Sequence, residues 1–147
     1  MISLTALDDQ FVGERRDWLS SARVLERLHW LEHSEVERIG WLQAFGGFIA
    51  NTDMHFGNLS FLYEGRRPLT LAPAYDMLPM FYSPRRGELP RIEFTPPPPP
   101  PRAVAQARLA RSAAVEFWQR VAGDDRISRE LREIAQRNER ELGRLRW

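Results

Sequence analysis

The stretch Asn51–Asn58, with the sequence NTDMHFGN, and the segment that follows it together decide the fold. Residues 59–71 consist of three consecutive segments: an apolar strand pattern, a short turn containing glycine, and a second strand pattern. This order predicts a β-hairpin. Asn58 would lie just before the hairpin and Asp76 just after it, so the two side chains are expected at its adjacent ends.

The residue types at these positions suit phosphoryl transfer. Asp53 and Asn58 have the spacing with which a kinase catalytic loop places a base and a metal ligand. Taken singly, Asp53 would more simply cap a turn and Asp76 would more simply hydrogen-bond a loop. Asn58 and Asp76 carry the hard oxygen ligands that Mg²⁺ prefers, so we predict them to bind the metal and the nucleotide cofactor. His55 is predicted to orient Asp53 or to brace the loop, and metal binding by its imidazole stays open.

The same residues resemble the HipA family of bacterial toxin–antitoxin Ser/Thr kinases. The pattern N-x-D-x-H-x-x-N stands at Asn51–Asn58, and the pattern P-x-Y-D-x-L-P stands at Pro73–Pro79. The likeness covers about residues 8–94, and residues 80–88 look like the YjjJ branch of that family. The resemblance implies a mostly helical (α+β) kinase C-lobe with one β-hairpin, Mg²⁺ and ATP as cofactors, a protein substrate and a DNA-binding antitoxin as partner.

Other groups on which a complete kinase depends are missing from the sequence. All 21 basic residues are Arg, so the chain has no Lys for the nucleotide phosphates, and it has no G-x-G-x-x-G loop. The 52 residues before Asp53 have helical patterns, so the N-lobe is expected to be absent. We therefore expect a truncated or split toxin that uses ATP only if a partner chain supplies the N-lobe. The alternative is a catalytically inactive remnant or an interaction module.

Composition and charge narrow the class of protein. The chain has 147 residues, of which 43% are hydrophobic and none is Cys, which fits one cytoplasmic domain with an ordinary core. No apolar run approaches the roughly 20 residues that span a bilayer. Residues 102–146 contain eleven Arg and seven acidic residues, but a mixed, solvated helix face is the simpler explanation. Direct binding to nucleic acid is therefore not expected.

Apolar residues spaced by three and four predict helices in four segments. The first runs from Glu14 to about His33, and a capping box at Ser34 and Glu37 would begin the second. The last two are predicted over residues 104–121 and 127–145.

Prolines suggest how the chain is divided. Pro79, Pro84 and Pro90 predict an irregular loop after Asp76. Six consecutive prolines predict a polyproline linker at 96–101. The linker would separate a C-lobe core at 1–95 from a helical segment at 102–147.

A rival motif lies at residues 29–33, where the string His-Trp-Leu-Glu-His fits the pattern H-x-x-E-H of inverted zinc peptidases. Such a site needs both imidazoles one turn apart inside a stable helix. The predicted capping box ends the helix directly after His33, so zinc proteolysis is the minor alternative.

Overall fold

The computed structural model describes residues 1–84, 86, 87, 89, 94–96, 98, 99 and 103–145, and these are mostly helical. The chain forms two compact units. Unit 1 contains residues 1–43 and 53–77, and unit 2 contains residues 44–52 and 78–147. The predicted linker at 96–101 and the start of the helical segment at 102 lie partly outside the described residues.

Unit 1 contains a small antiparallel sheet of three strands in the order β1-β2-β3. The strands are β1 (Ile2–Ser3), β2 (Ser60–Leu62) and β3 (Thr70–Leu71). Phe61 is fully buried in the central strand, where it is paired with Ile2 on one side and Leu71 on the other. The predicted hairpin is confirmed as β2 and β3, whereas β1 is an additional strand that the sequence pattern did not indicate.

Helix α1 (Leu4–Phe11) follows β1 directly and was also not predicted. The hydroxyl of Ser3 caps it by accepting a hydrogen bond from the backbone N–H of Ala6 at 3.2 Å. Asp8 in this helix is completely buried. Its carboxylate accepts hydrogen bonds from the hydroxyl of Ser21 and from the backbone N–H of Arg15, which tie α1 to the next helix.

Helix α2 (Trp18–Arg27) is shorter than the helix predicted from Glu14 to His33, whereas α3 (His33–Phe48) confirms the second predicted helix. Asp17 caps α2 through the backbone N–H of Ser20 at 2.9 Å. His29 has φ +58, a left-handed conformation that a helix does not contain. The predicted capping box at Ser34 is also wrong, because the first N–H groups of α3 bond to the carbonyl of Glu32 and Ser34 lies inside the first turn.

Unit 2 is built on helices α4 (Val104–Gly123) and α5 (Arg129–Arg144), which pack against each other. Both were predicted to within a few residues. Trp118 lies at the centre of this core with no exposed surface, and its indole N–H donates to the carbonyl of Phe48 at 3.1 Å. In the described part of the chain, no helix has the length and apolarity needed to cross a membrane.

The loop after Asp76 is irregular where it is described, as the prolines predicted. Its one regular element there is a 3-10 turn at Met80–Tyr82. Tyr82 is buried and exchanges hydrogen bonds with the side-chain amide of Asn138 at 3.0 and 3.1 Å. The remaining predicted loop positions 85, 88 and 90–93 lie outside the described residues.

Candidate functional site

The loop from Asp53 to Asn58 is closed by the side chain of Asn58. Its amide nitrogen donates to the carbonyl of Asp53 at 2.8 Å, and its backbone N–H donates to the carbonyl of His55 at 3.1 Å. Residues Phe56–Asn58 form a single 3-10 turn. Asn58 is 5% exposed, whereas Asp53 and His55 are exposed. The loop therefore holds the backbone of Asp53 against a buried amide and leaves the carboxylate on the surface.

His55 braces this loop in two ways. Its ring nitrogen Nδ1 accepts a hydrogen bond from the backbone N–H of Gly57 at 3.1 Å, and its carbonyl accepts one from the indole of buried Trp18 at 3.2 Å. Because Nδ1 accepts a hydrogen bond, the neutral imidazole carries its proton on Nε2. A Cβ atom on Gly57 would lie 3.0 Å from the ring, so the glycine permits this contact.

The hairpin brings the segment before Asp76 to the end of this loop. Ala72 continues the strand pairing, since its N–H donates to the carbonyl of Ser60 at 2.9 Å. The hydroxyl of Tyr75 then donates to the carbonyl of Gly57 and lies 3.2 Å from the hydroxyl of Ser60. Tyr75 directly precedes Asp76, and Gly57 directly precedes Asn58. The side chain of Tyr75 thus links the residue directly before Asp76 to the residue directly before Asn58.

Asp76 adopts an uncommon backbone conformation, with φ +53. Left-handed geometry costs a non-glycine residue roughly 1–3 kcal/mol, although Asp tolerates it better than most residues because of its short polar side chain. Residues held in such conformations cluster at ligand clamps and active sites. Asp76 is also exposed.

The donor set fits Mg²⁺. The amide nitrogen of Asn58 faces the carbonyl of Asp53, so its oxygen Oδ1 points to the opposite side, and within the described residues it accepts no hydrogen bond. Mg²⁺ takes one or two protein oxygens and fills its other positions with water and phosphate oxygens. Among the described residues, no group of three or more His, Asp or Glu side chains is placed to hold a metal ion. The predicted site differs from such a group, because it has only two ligands and one of them is the amide oxygen of Asn58.

The H-x-x-E-H string does not form the arrangement of a zinc peptidase. His29 lies beyond the end of α2, and His33 is the first residue of α3, so the two imidazoles do not stand one turn apart in one helix. His33 instead contacts the carboxylate of Glu26, with 2.8 Å between Nδ1 and Oε1.

The contact with Glu26 predicts how His33 titrates. The hydrogen bond to Glu26, aided by its charge, raises the pKa of His33 above the ordinary value of 6.5. The contact therefore stabilises the fold fully below pH 6.5, and this contribution is lost as the pH rises through the raised pKa. An NMR titration should show a lower His33 pKa in Glu26→Gln. Glu37→Gln is the control and should have a smaller effect, because Glu37 lies 3.8 Å away. An unchanged pKa in Glu26→Gln would contradict the contact.

Comparisons with known proteins agree on the relationship of this chain. A family model described as HipA-like C-terminal domain matches residues 1–142. The chain is also 39% identical over 137 residues to Toxin YjjJ of Escherichia coli (strain K12), an alignment that covers 92% of this chain and 31% of that protein. The chain thus spans about a third of the length of that relative. Since the match includes both the Asp53–Asn58 loop and the hairpin, the chain belongs to the family of HipA-like C-terminal domains.

Proposed function

We propose that this chain carries the catalytic loop and the metal ligands of a HipA-like Ser/Thr protein kinase that acts as the toxin of a toxin–antitoxin system. One observation carries the proposal most directly. The hydroxyl of Tyr75 donates a hydrogen bond to the carbonyl of Gly57. This hydrogen bond links the segment that bears Asp76 to the segment that bears Asn58. A kinase needs these two ligands to act on one metal ion.

Each residue has a separate role in this proposal. Asp53 orients the acceptor hydroxyl of the protein substrate and accepts its proton, while Asn58 and His55 keep the Asp53 loop closed. Asn58 and Asp76 hold the metal through their side-chain oxygens. When Mg-ATP is bound, the nucleotide would supply the phosphoryl group and Mg²⁺ the positive charge that stabilises its transfer.

The partners follow from the family and from the length of the chain. The relative that is named a toxin is about three times as long as the matched region, since that region is 31% of it. We infer that a nucleotide-binding N-lobe acts together with this chain, supplied by a partner chain or by another part of a longer protein. A DNA-binding antitoxin would neutralise the kinase, and the use of ATP and a protein substrate puts the activity in the cytoplasm.

The metal site can be tested on the chain itself with Mn²⁺ as a paramagnetic substitute for Mg²⁺. We expect substoichiometric Mn²⁺ to broaden the backbone NMR signals around Asn58 and Asp76 more strongly than those elsewhere in the chain, because both side chains ligate the ion through oxygen. Asp76→Ala removes the charged ligand and should abolish this selective broadening. Excess Mg²⁺ should restore the signals of the unmodified chain by competition.

Asp125→Ala is the matched control for this experiment. Asp125 has a side chain that is 97% exposed, and it is paired with Arg132 in unit 2. The substitution removes one carboxylate of the same kind but should leave the broadening at Asn58 unchanged. Broadening that is spread over surface carboxylates and persists in Asp76→Ala would refute the metal site.

A further inference from the structure

A groove on unit 2 is not used by the proposed chemistry. It encloses about 420 Å³ between α5 and the segment 94–96. Its apolar lining comes from Phe94, Pro96 and Leu145, and its polar rim includes three arginines of α5. Those arginines are Arg137, Arg140 and Arg144.

The floor of the groove is held in one conformation by buried hydrogen bonds. Tyr82 is 4% exposed and Asn138 is 9% exposed, and each donates a hydrogen bond to the other. Both side chains line the groove. The neighbouring ring of Trp118 lies edge-on to Tyr82 at 6.0 Å. The groove is therefore built on the core of unit 2 and does not require a partner to form.

Positive charge is concentrated at this end of α5. Near its start, Arg129 is paired with Glu133 and Arg132 with Asp125, each at 2.9 Å. In the groove, Arg144 is paired with Glu141 at 2.7 Å. Arg137 and Arg140 form no ion pair or hydrogen bond with the described residues, and both are exposed. The lining thus holds three arginines against one glutamate.

We propose that this groove binds an extended acidic peptide segment of a partner protein. Arg137 and Arg140 are separated by about 4.5 Å along the helix axis, and Arg140 and Arg144 by about 6 Å. Side chains on the same face of an extended peptide repeat about every 6.6 Å, so alternate carboxylates reach successive guanidinium groups. Arg binds carboxylates through two parallel hydrogen bonds, which favours this pairing. An apolar side chain of the same peptide covers Phe94 and Leu145.

A peptide suits the groove better than a nucleic acid strand. Bases are usually held by stacking on exposed aromatic rings. Of the two rings in the lining, Tyr82 is buried with its hydroxyl bonded to Asn138, and Phe94 packs against Phe81 at 5.4 Å. The proposal rests on unit 2 alone and is independent of the proposed kinase activity.

Fluorescence anisotropy with a labelled peptide of alternating Glu and Leu tests this inference. We expect the peptide to bind the full chain, and we expect the double variant Arg137→Gln with Arg140→Gln to weaken binding at least 10-fold. A peptide with Gln in place of Glu should not bind. Circular dichroism checks that each variant keeps the helical content of the original chain.

The matched control is the double variant Arg120→Gln with Arg129→Gln. It removes the same charge from exposed arginines of α4 and α5 that are paired with Glu116 and Glu133. Peptide binding should change less than twofold. Equal weakening in both double variants would overturn the proposal, because the attraction would then come from net charge. Tighter binding of a labelled single-stranded DNA, lost in the Arg137 and Arg140 variant, would overturn it in favour of a nucleic acid surface.

Discussion

We expect Asp53→Ala to reduce phosphoryl transfer by about 10²–10⁴-fold, the usual contribution of a positioned general base. The measurement is the transfer of labelled γ-phosphate to protein by this chain together with the protein that supplies its N-lobe. Mg-ATP binding to the same assembly should survive, since Asp53 is proposed to orient the acceptor hydroxyl and is not proposed to hold the metal. A variant that binds the nucleotide but does not transfer phosphate is the expected signature.

Two further variants distinguish the role of Asp53 from metal binding and from zinc chemistry. Asp76→Ala should weaken Mg²⁺-dependent nucleotide binding as well as turnover, and high Mg²⁺ should restore part of the loss, whereas Asp53→Ala should not respond to Mg²⁺. His29→Ala is the control for zinc chemistry and should leave transfer unchanged. If Asp53→Ala retained full transfer, or if activity required His29 and zinc, the kinase proposal would be wrong.

The second large effect concerns stability. Trp118→Ala should lower the free energy of unfolding of unit 2 by about 3–5 kcal/mol, because it opens a cavity at a fully buried position. It also leaves the carbonyl of Phe48 without the indole N–H and removes the edge-on contact with Phe117 at 5.0 Å. Urea denaturation followed by circular dichroism of the helical signal measures the loss.

Leu109→Ala is the matched control for Trp118→Ala. Leu109 lies on the same helix but is 68% exposed, so little apolar contact is lost and helix propensity changes little. Its free energy of unfolding should stay within about 0.5 kcal/mol of the original value. If the two variants lost similar stability, Trp118 would not be the centre of the core.

Parts of the fold were predictable from the sequence where a pattern was long enough to recur. Helices α4 and α5 repeat their apolar spacing over four or more turns, and the hairpin is marked by a strand, a glycine-containing turn and a second strand. Strand β1 has two residues and α1 has eight, which is too short for periodicity to be recognised. The helix break at His29 depends on a left-handed backbone conformation, which the presence of a histidine does not predict.

The candidate site was predictable only where the type of a residue and its sequence interval from the other candidates indicate its chemistry. Asp53, Asn58 and Asp76 were selected as candidates because their types and intervals suit a base and two oxygen ligands, and these roles stay predictions. Gly57 and Tyr75 were missed as parts of this site, because their contact joins residues 18 apart and appears only once the hairpin is folded. The sequence features that could have indicated this contact were the glycine two residues after His55 and the tyrosine directly before Asp76.

The two compact units divide the chain in a way that has a consequence for its connectivity. The backbone leaves unit 1 after Gln43, returns to it at Asp53 and leaves it again after Met77. Neither unit is therefore encoded by one uninterrupted stretch, and no single cut in the gene or the polypeptide releases either of them whole. Exchange of one unit between relatives by simple recombination would require three matched breakpoints, at 43/44, 52/53 and 77/78.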